Sequence, residues 1–217
     1  MWAPGSRQSR IRLTARDSHL LVAVYNDMPI MPLVLTKRRF STDDYHRMVG
    51  AGILSEDDRV ELIDGEVLAM SPIGPRHCAS VDRTTRAMVM AVGDRAIVRV
   101  QGSVQLDRFY EPQPDVVLLR PRDDFYVTRH PGGRDTFLVV EIADSSLDYD
   151  RDIKAPMYAA LGVPEYWLAD VIGKVLTAYT SPSRGEYRRR REHRPGESIA
   201  PQLLSDIVIP VGVLLGE

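Results

Sequence analysis

Two carboxylates stand where core strands should carry only hydrophobes: Asp115 in PDVVLL and Glu141 in FLVVEIA. Lys154 follows in DYDRDIKAPMYAALG, near the start of a helical pattern. An ionised acid is not left unpaired in a core, so each of these carboxylates needs something that neutralises it. A divalent cation held between them, with the lysine close by, satisfies both at once. Asp, Glu and Lys without Cys or His suit phosphodiester hydrolysis better than ester or peptide hydrolysis by a serine. Carboxylate oxygens match the hard Mg²⁺ ion, which lowers the pKa of bound water and offsets charge developing on a phosphoryl oxygen. The lysine can orient that water or stabilise negative charge; lowered in pKa by burial, it could serve as a base.

Each residue also has a structural reading. Asp115 could be a turn acid opening its strand, Glu141 a buried partner of an arginine, and Lys154 a solvated lysine paired with Asp150 at i,i+4. His77 reads as a capping or surface residue, Tyr158 as core, and Ser145 and Ser146 as caps with no base beside them. The run Arg188–Arg191 reads as a solvated edge that resists aggregation, with phosphate contact as its functional alternative.

The elements that must position these groups follow from local signals. Ser41 is an N-cap candidate with acids after it, and Gly50 and Gly52 end that helix. RVELIDGEVLAMSP holds two short strands around Asp64-Gly65, a two-residue hairpin turn. Glu61 shares a strand face with Ile63, an apolar neighbour, which is unusual unless it pairs with a cation. A helix over His77–Val92 presents Val81, Met88, Val89 and Val92, and AIVRVQGSVQLD reads as a strand with a bulge at Gly102. The two acid-bearing strands come next. A helix over Asp150–Leu161 then carries Ile153, Met157, Tyr158 and Leu161 on one stripe, with Pro156 lying awkwardly inside it. EYWLADVIGKVLTAYTS supplies two more strands, EYRRRREH another, and DIVIPVGVLL a terminal β segment.

Composition narrows the function classes. A length of 217 residues, 44% hydrophobic and 27% charged, suits one globular domain with a tail. A formal net charge of −2 offers no global basic field, so nucleic-acid binding would need a local patch. Cys78 is the single cysteine, which excludes an internal disulfide and a cysteine-built zinc site and fits a reducing cytoplasm. Apolar runs fall short of a membrane span of about 20 residues, and no apolar region follows the early arginines. Residues 1–38 are poorly periodic, broken by Pro29 and Pro32, and read as an N-terminal extension, with LLVAVY and MPIMPLVL as a short strand or extended arm.

The order of elements, with PD at Pro114-Asp115 followed by an acid-bearing apolar strand, resembles the PD-(D/E)xK restriction-endonuclease-like superfamily. VELIDGEVLAMSP, EPQPDVVLL and LVVEIADSSLDYDRDIKAPMYAALGVPEYWLAD together look like the Uma-type restriction endonucleases, over about residues 38–215. The resemblance implies an α/β (α+β) fold with an αβββαβ core, a mixed central sheet and an added N-terminal β-hairpin, with 39–217 as the nuclease domain. It implies Asp115 and Glu141 as metal ligands, the Ile142 carbonyl as a further ligand, Glu61 joining from the hairpin, and Gln101 on substrate or a metal-bound water. The superfamily places its lysine two residues after the second acid, which here is Ala143; the resemblance implies that Lys154 reaches back instead. The expected activity is Mg²⁺-dependent (Mn²⁺ as substitute) hydrolysis of DNA by a cytoplasmic, homodimeric endonuclease without membrane contact. The competing expectation is a nuclease fold retained as a nucleic-acid or protein binding module.

Overall fold

The structure is a computed structural model, and it describes residues 36–55 and 57–217. The strand or arm expected from LLVAVY and MPIMPLVL lies outside the described residues. Phe40–Glu217 forms one compact unit. It opens with α1 (Thr42–Gly50), where Ser41 and Asp44 cap each other reciprocally. The hairpin β1 (Val60–Ile63) and β2 (Glu66–Ala69) follows, antiparallel, with Asp64 and Gly65 both at positive φ as its two-residue turn requires. Helix α2 (Pro75–Val92) ends on Gly93 at φ 53°.

Six strands make the central sheet in the order β3 (Ile97–Val100), β4 (Val116–Leu119), β5 (Thr136–Ala143), β6 (Glu165–Asp170), β7 (Val175–Ser183) and β8 (Glu186–His193). All neighbours are antiparallel except β5 and β6. A parallel pair needs a crossover, and α3 (Leu147–Tyr149), a π turn at Asp150–Lys154 and α4 (Ala155–Ala160) supply it. The architecture is therefore mixed α/β on a mixed sheet, with α2, β3, β4, β5, the crossover helix and β6 in the expected αβββαβ order.

Side chains alternate across β4 and β5 and divide the core in two. Val116, Leu118, Val140 and Ile142 pack with Val81 and Met88 of α2, while Val117, Leu119, Val139 and Ala143 pack with Tyr158 of α4 and Tyr166 of β6. Both faces being covered explains why FLVVEIA reads as a continuous apolar run.

Three expectations are corrected. The strand predicted through AIVRVQGSVQLD stops at Val100, because Gln101 takes φ 47° and turns the chain out of the ladder. DIVIPVGVLL is not a terminal strand: β10 (Ile209–Pro210) pairs only with β9 (Ser198–Ile199), and Pro210 then starts the short helix α5 (Val211–Leu214). On the crossover helix Met157, Tyr158 and Leu161 pack inward as the predicted stripe requires, and Ile153 alone departs from it. Ala155 N–H donates to Asp150 C=O, five residues back, so Ile153 is half exposed and Lys154 is buried. Pro156 has no N–H for the ladder, and the Asp150 carbonyl also accepts from the Tyr166 hydroxyl at 3.1 Å. Among the described residues no helix is long and apolar enough to cross a membrane.

Candidate active site

Strand register brings the two acids together. Val116 lies opposite Val140, so Asp115, one step before β4, lies across from Glu141 on the same face. Their groups interlock. Asp115 Oδ2 accepts from Ile142 N–H at 2.9 Å, and Glu141 Oε2 accepts from Asp115 N–H at 3.2 Å. Lys154, turned inward by the π turn, donates to Glu141 Oε1 at 3.0 Å and lies 3.4 Å from Glu61 Oε2. Gln101, aimed by its positive φ, puts Nε2 3.4 Å from Asp115 Oδ1, which is a weak contact. All five side chains line one cavity of about 670 Å³. Ile142 meets the site through its backbone, since its side chain packs in the α2-side core.

Sequence reasoning missed five further residues. His77 Nε2 lies 2.9 Å from Asp115 Oδ1, so it is part of the site rather than a surface cap. Tyr158 is core, as expected, yet its hydroxyl donates to Glu141 Oε1 at 2.9 Å. Asp150 and Tyr149 line the same cavity, and Ser146 donates to Asp150. The i,i+4 spacing of Asp150 and Lys154 was the one local signal; nothing local ties His77 to Asp115, 38 positions away.

Electrostatics follow from burial and from an excess of acid. Glu61, Asp115, Glu141, Asp150 and Lys154 are exposed by only 3% to 9%. Four carboxylates thus share one lysine and one histidine. Burial pushes Glu141 up to about 8; Lys154 opposes the shift, and Asp115, Asp150 and Glu61 reinforce it. Asp150 rises to about 6, chiefly through burial. Burial alone would lower Lys154, but Glu141, Glu61 and Asp150 outweigh it and raise it above the ordinary lysine value. The sequence-based option of a lysine lowered into a base is therefore reversed. His77 is raised first by its hydrogen bond to Asp115, with burial opposing.

The donor set fits a hard divalent cation. It is built of carboxylate oxygens with surplus negative charge, and the buried Tyr149 hydroxyl has no hydrogen-bond partner among the described residues. The model of the Uma2 family, described as "Putative restriction endonuclease", matches residues 42–212. The chain belongs to that family. Membership supports nuclease chemistry and, more generally, dependence on a divalent metal. This Uma2-type chain is also similar in structure to "a putative nuclease belonging to DUF820 from Anabaena variabilis ATCC 29413", at TM-score 0.63 and 14% identity, covering 81% of this chain and 97% of that one. At that identity the likeness is one of fold, and it places the Uma2-type chain in the restriction-endonuclease-like architecture. No curated protein matches the chain.

Proposed function

We propose that the protein is a Mg²⁺-dependent endonuclease that hydrolyses DNA phosphodiester bonds, with Mn²⁺ as a working substitute. The observation that carries this reading is the convergence of Asp115 and Glu141 on one sheet face inside the cavity, with Lys154 returned to them by the π turn. Asp115 and Glu141 would hold the cation, with the Ile142 carbonyl as a further oxygen. Bound there, Mg²⁺ supplies an acidified water and compensation for charge on the phosphoryl oxygens. Lys154 stays an ammonium, so it would donate to developing negative charge and orient the attacking water, whose proton, made acidic by the cation, would pass to bulk water. Glu61 and Tyr158 position Lys154 and Glu141, His77 orients Asp115, and Gln101 contacts substrate.

Residues 39–217 act as the nuclease domain and 1–38 as an extension to it. The single Cys78 supports a reducing, cytoplasmic setting. Cutting both strands of a duplex calls for two such sites, hence a homodimer.

Plasmid DNA incubated with the purified protein and Mg²⁺ or Mn²⁺ tests the reading. Cleavage is expected, suppressed by EDTA and lost in Asp115→Asn and Glu141→Gln. Cleavage that persists in both variants overturns it. A second reading, a nuclease fold kept for binding, is favoured by one observation: Lys154 is already engaged by Glu141 and Glu61. DNA retained in a mobility-shift assay without cleavage at any divalent-metal concentration would select it.

A further inference from the structure

A second cluster gathers against β1 and uses different chemistry. Glu111 is held against β1 by a pair of backbone hydrogen bonds with Leu62, at 3.3 and 2.8 Å. Its side chain is only 2% exposed, and its ion-pair partners among the described residues are two histidines. His46 comes from α1 and His130 from the loop between β4 and β5, so three segments distant in sequence meet on one carboxylate. His46 Nε2 lies 2.8 and 3.1 Å from the two Glu111 oxygens, and His130 Nε2 lies 3.8 Å from Oε1. One donor atom from each residue falls within 4.8 Å of the other two. The imidazole rings are 5.5 Å apart between centroids and tilted by 46°, so they converge without stacking.

We propose that His46, Glu111 and His130 form a second metal site, for a borderline transition-metal ion such as Zn²⁺. A tetrahedral site with bonds of about 2.0–2.2 Å places its donors about 3.3 Å apart, within reach of small side-chain adjustments here. Two imidazoles and one carboxylate select Zn²⁺-like ions over Mg²⁺, which prefers all-oxygen surroundings and keeps its waters. The histidines are 41% and 42% exposed and face a cavity of about 290 Å³, which leaves the fourth position to water. The metal ties α1 and the β4–β5 loop to the chain segment that flanks β1. That strand carries Glu61, so occupancy of this site steadies one wall of the oxygen-lined pocket. None of these three residues is assigned to phosphodiester hydrolysis, so the site is independent of that activity.

The full chain, stripped with EDTA and titrated with Zn²⁺ in excess Mg²⁺ by calorimetry and equilibrium dialysis, tests it. One equivalent of Zn²⁺ is expected to bind and to raise the melting temperature. In His46→Ala and His130→Ala the affinity should fall by more than the roughly 10- to 100-fold that loss of an outer-shell partner costs. In Asp115→Asn it should be unchanged. Both histidines are half exposed, so these variants should lower the metal-free melting temperature by no more than about 2–4 °C. If one does not fold, the other gives the same readout from a different segment, and Co²⁺ visible bands report the ligand set directly. Zn²⁺ binding that survives both histidine substitutions, that disappears in Asp115→Asn, or that never saturates at one equivalent overturns the proposal.

Discussion

The cluster around Asp115 and Glu141 and the cluster around Glu111 both begin with a buried carboxylate, and they neutralise it in opposite ways. In the first, four acids crowd one lysine and one histidine behind strands β4 and β5. The charge is left negative, and the pKa values of Glu141 and Asp150 rise. In the second, one acid faces two half-exposed imidazoles, which are neutral ligands when deprotonated. The first arrangement is electrostatically incomplete and made of hard donors, which suits a cation that keeps waters for chemistry. The second is closer to balance and richer in nitrogen, which suits a cation that holds segments together. They are joined through neighbours in β1: Glu61 faces Lys154 and Leu62 pairs with Glu111. Burial by itself does not separate a catalytic acid from a structural one. The donor types and net charge around it do.

The largest effect should separate the clusters outright. Asp115→Asn or Glu141→Gln is expected to reduce DNA cleavage by on the order of 10³-fold, the upper scale for losing one charge-stabilising group, while Zn²⁺ binding at His46 and His130 is untouched. Single-turnover cleavage with Mg²⁺ measures the first half and calorimetry the second.

Lys154→Met should cost about 3–5 kcal/mol of stability, because it leaves Glu141 and Glu61 buried without their cation. Urea unfolding with and without Mg²⁺ reads this. The loss should shrink when Mg²⁺ is present and should stay unchanged when Zn²⁺ is added in its place at low concentration.

The pocket should also impose a pH dependence on the metal-free chain. The Glu141 carboxyl binds its proton more tightly folded, near 8, than unfolded, near 4.5, so between these values the native state holds more protons. Stability therefore falls as pH rises from about 4.5 to about 8, and Asp150 contributes in the same direction up to about 6. Denaturant midpoints across that range should show the slope, and Glu141→Gln should flatten it. An unchanged slope in that variant would assign the dependence elsewhere.

The smallest effect belongs to the second cluster without metal. His46→Ala should cost about 1 kcal/mol or less, since water can reach the half-exposed side it vacates. Thermal melts of EDTA-treated protein check this, and a cost as large as that of Lys154→Met would erase the contrast between the two regions.

Much of the frame was legible residue by residue. Asp64-Gly65 makes a turn wherever two short strands flank it, because both positions need positive φ. TFLVVEIA is a strand along its whole length because both of its faces are covered. The acids at 115 and 141 stood out because nothing in an apolar run excuses a charge. The AIVRVQGSVQLD strand and the terminal β segment were misread because hydrophobic content does not show where Gln101 leaves the ladder or where Pro210 begins a helix.

Local patterning thus determined which elements form and which residues are chemically out of place in them. Only the tertiary structure decided what those residues meet. The added residue of the π turn shifts the start of the crossover helix in phase, and this buries Lys154 and exposes Ile153, a change set by backbone hydrogen bonding around Pro156 that apolar periodicity cannot register. The partnership of His77 with Asp115, and that of His46 and His130 with Glu111, spans 19 to 65 positions. Such contacts come from strand register and helix docking, which depend on the packing of the whole core and not on any short stretch of it.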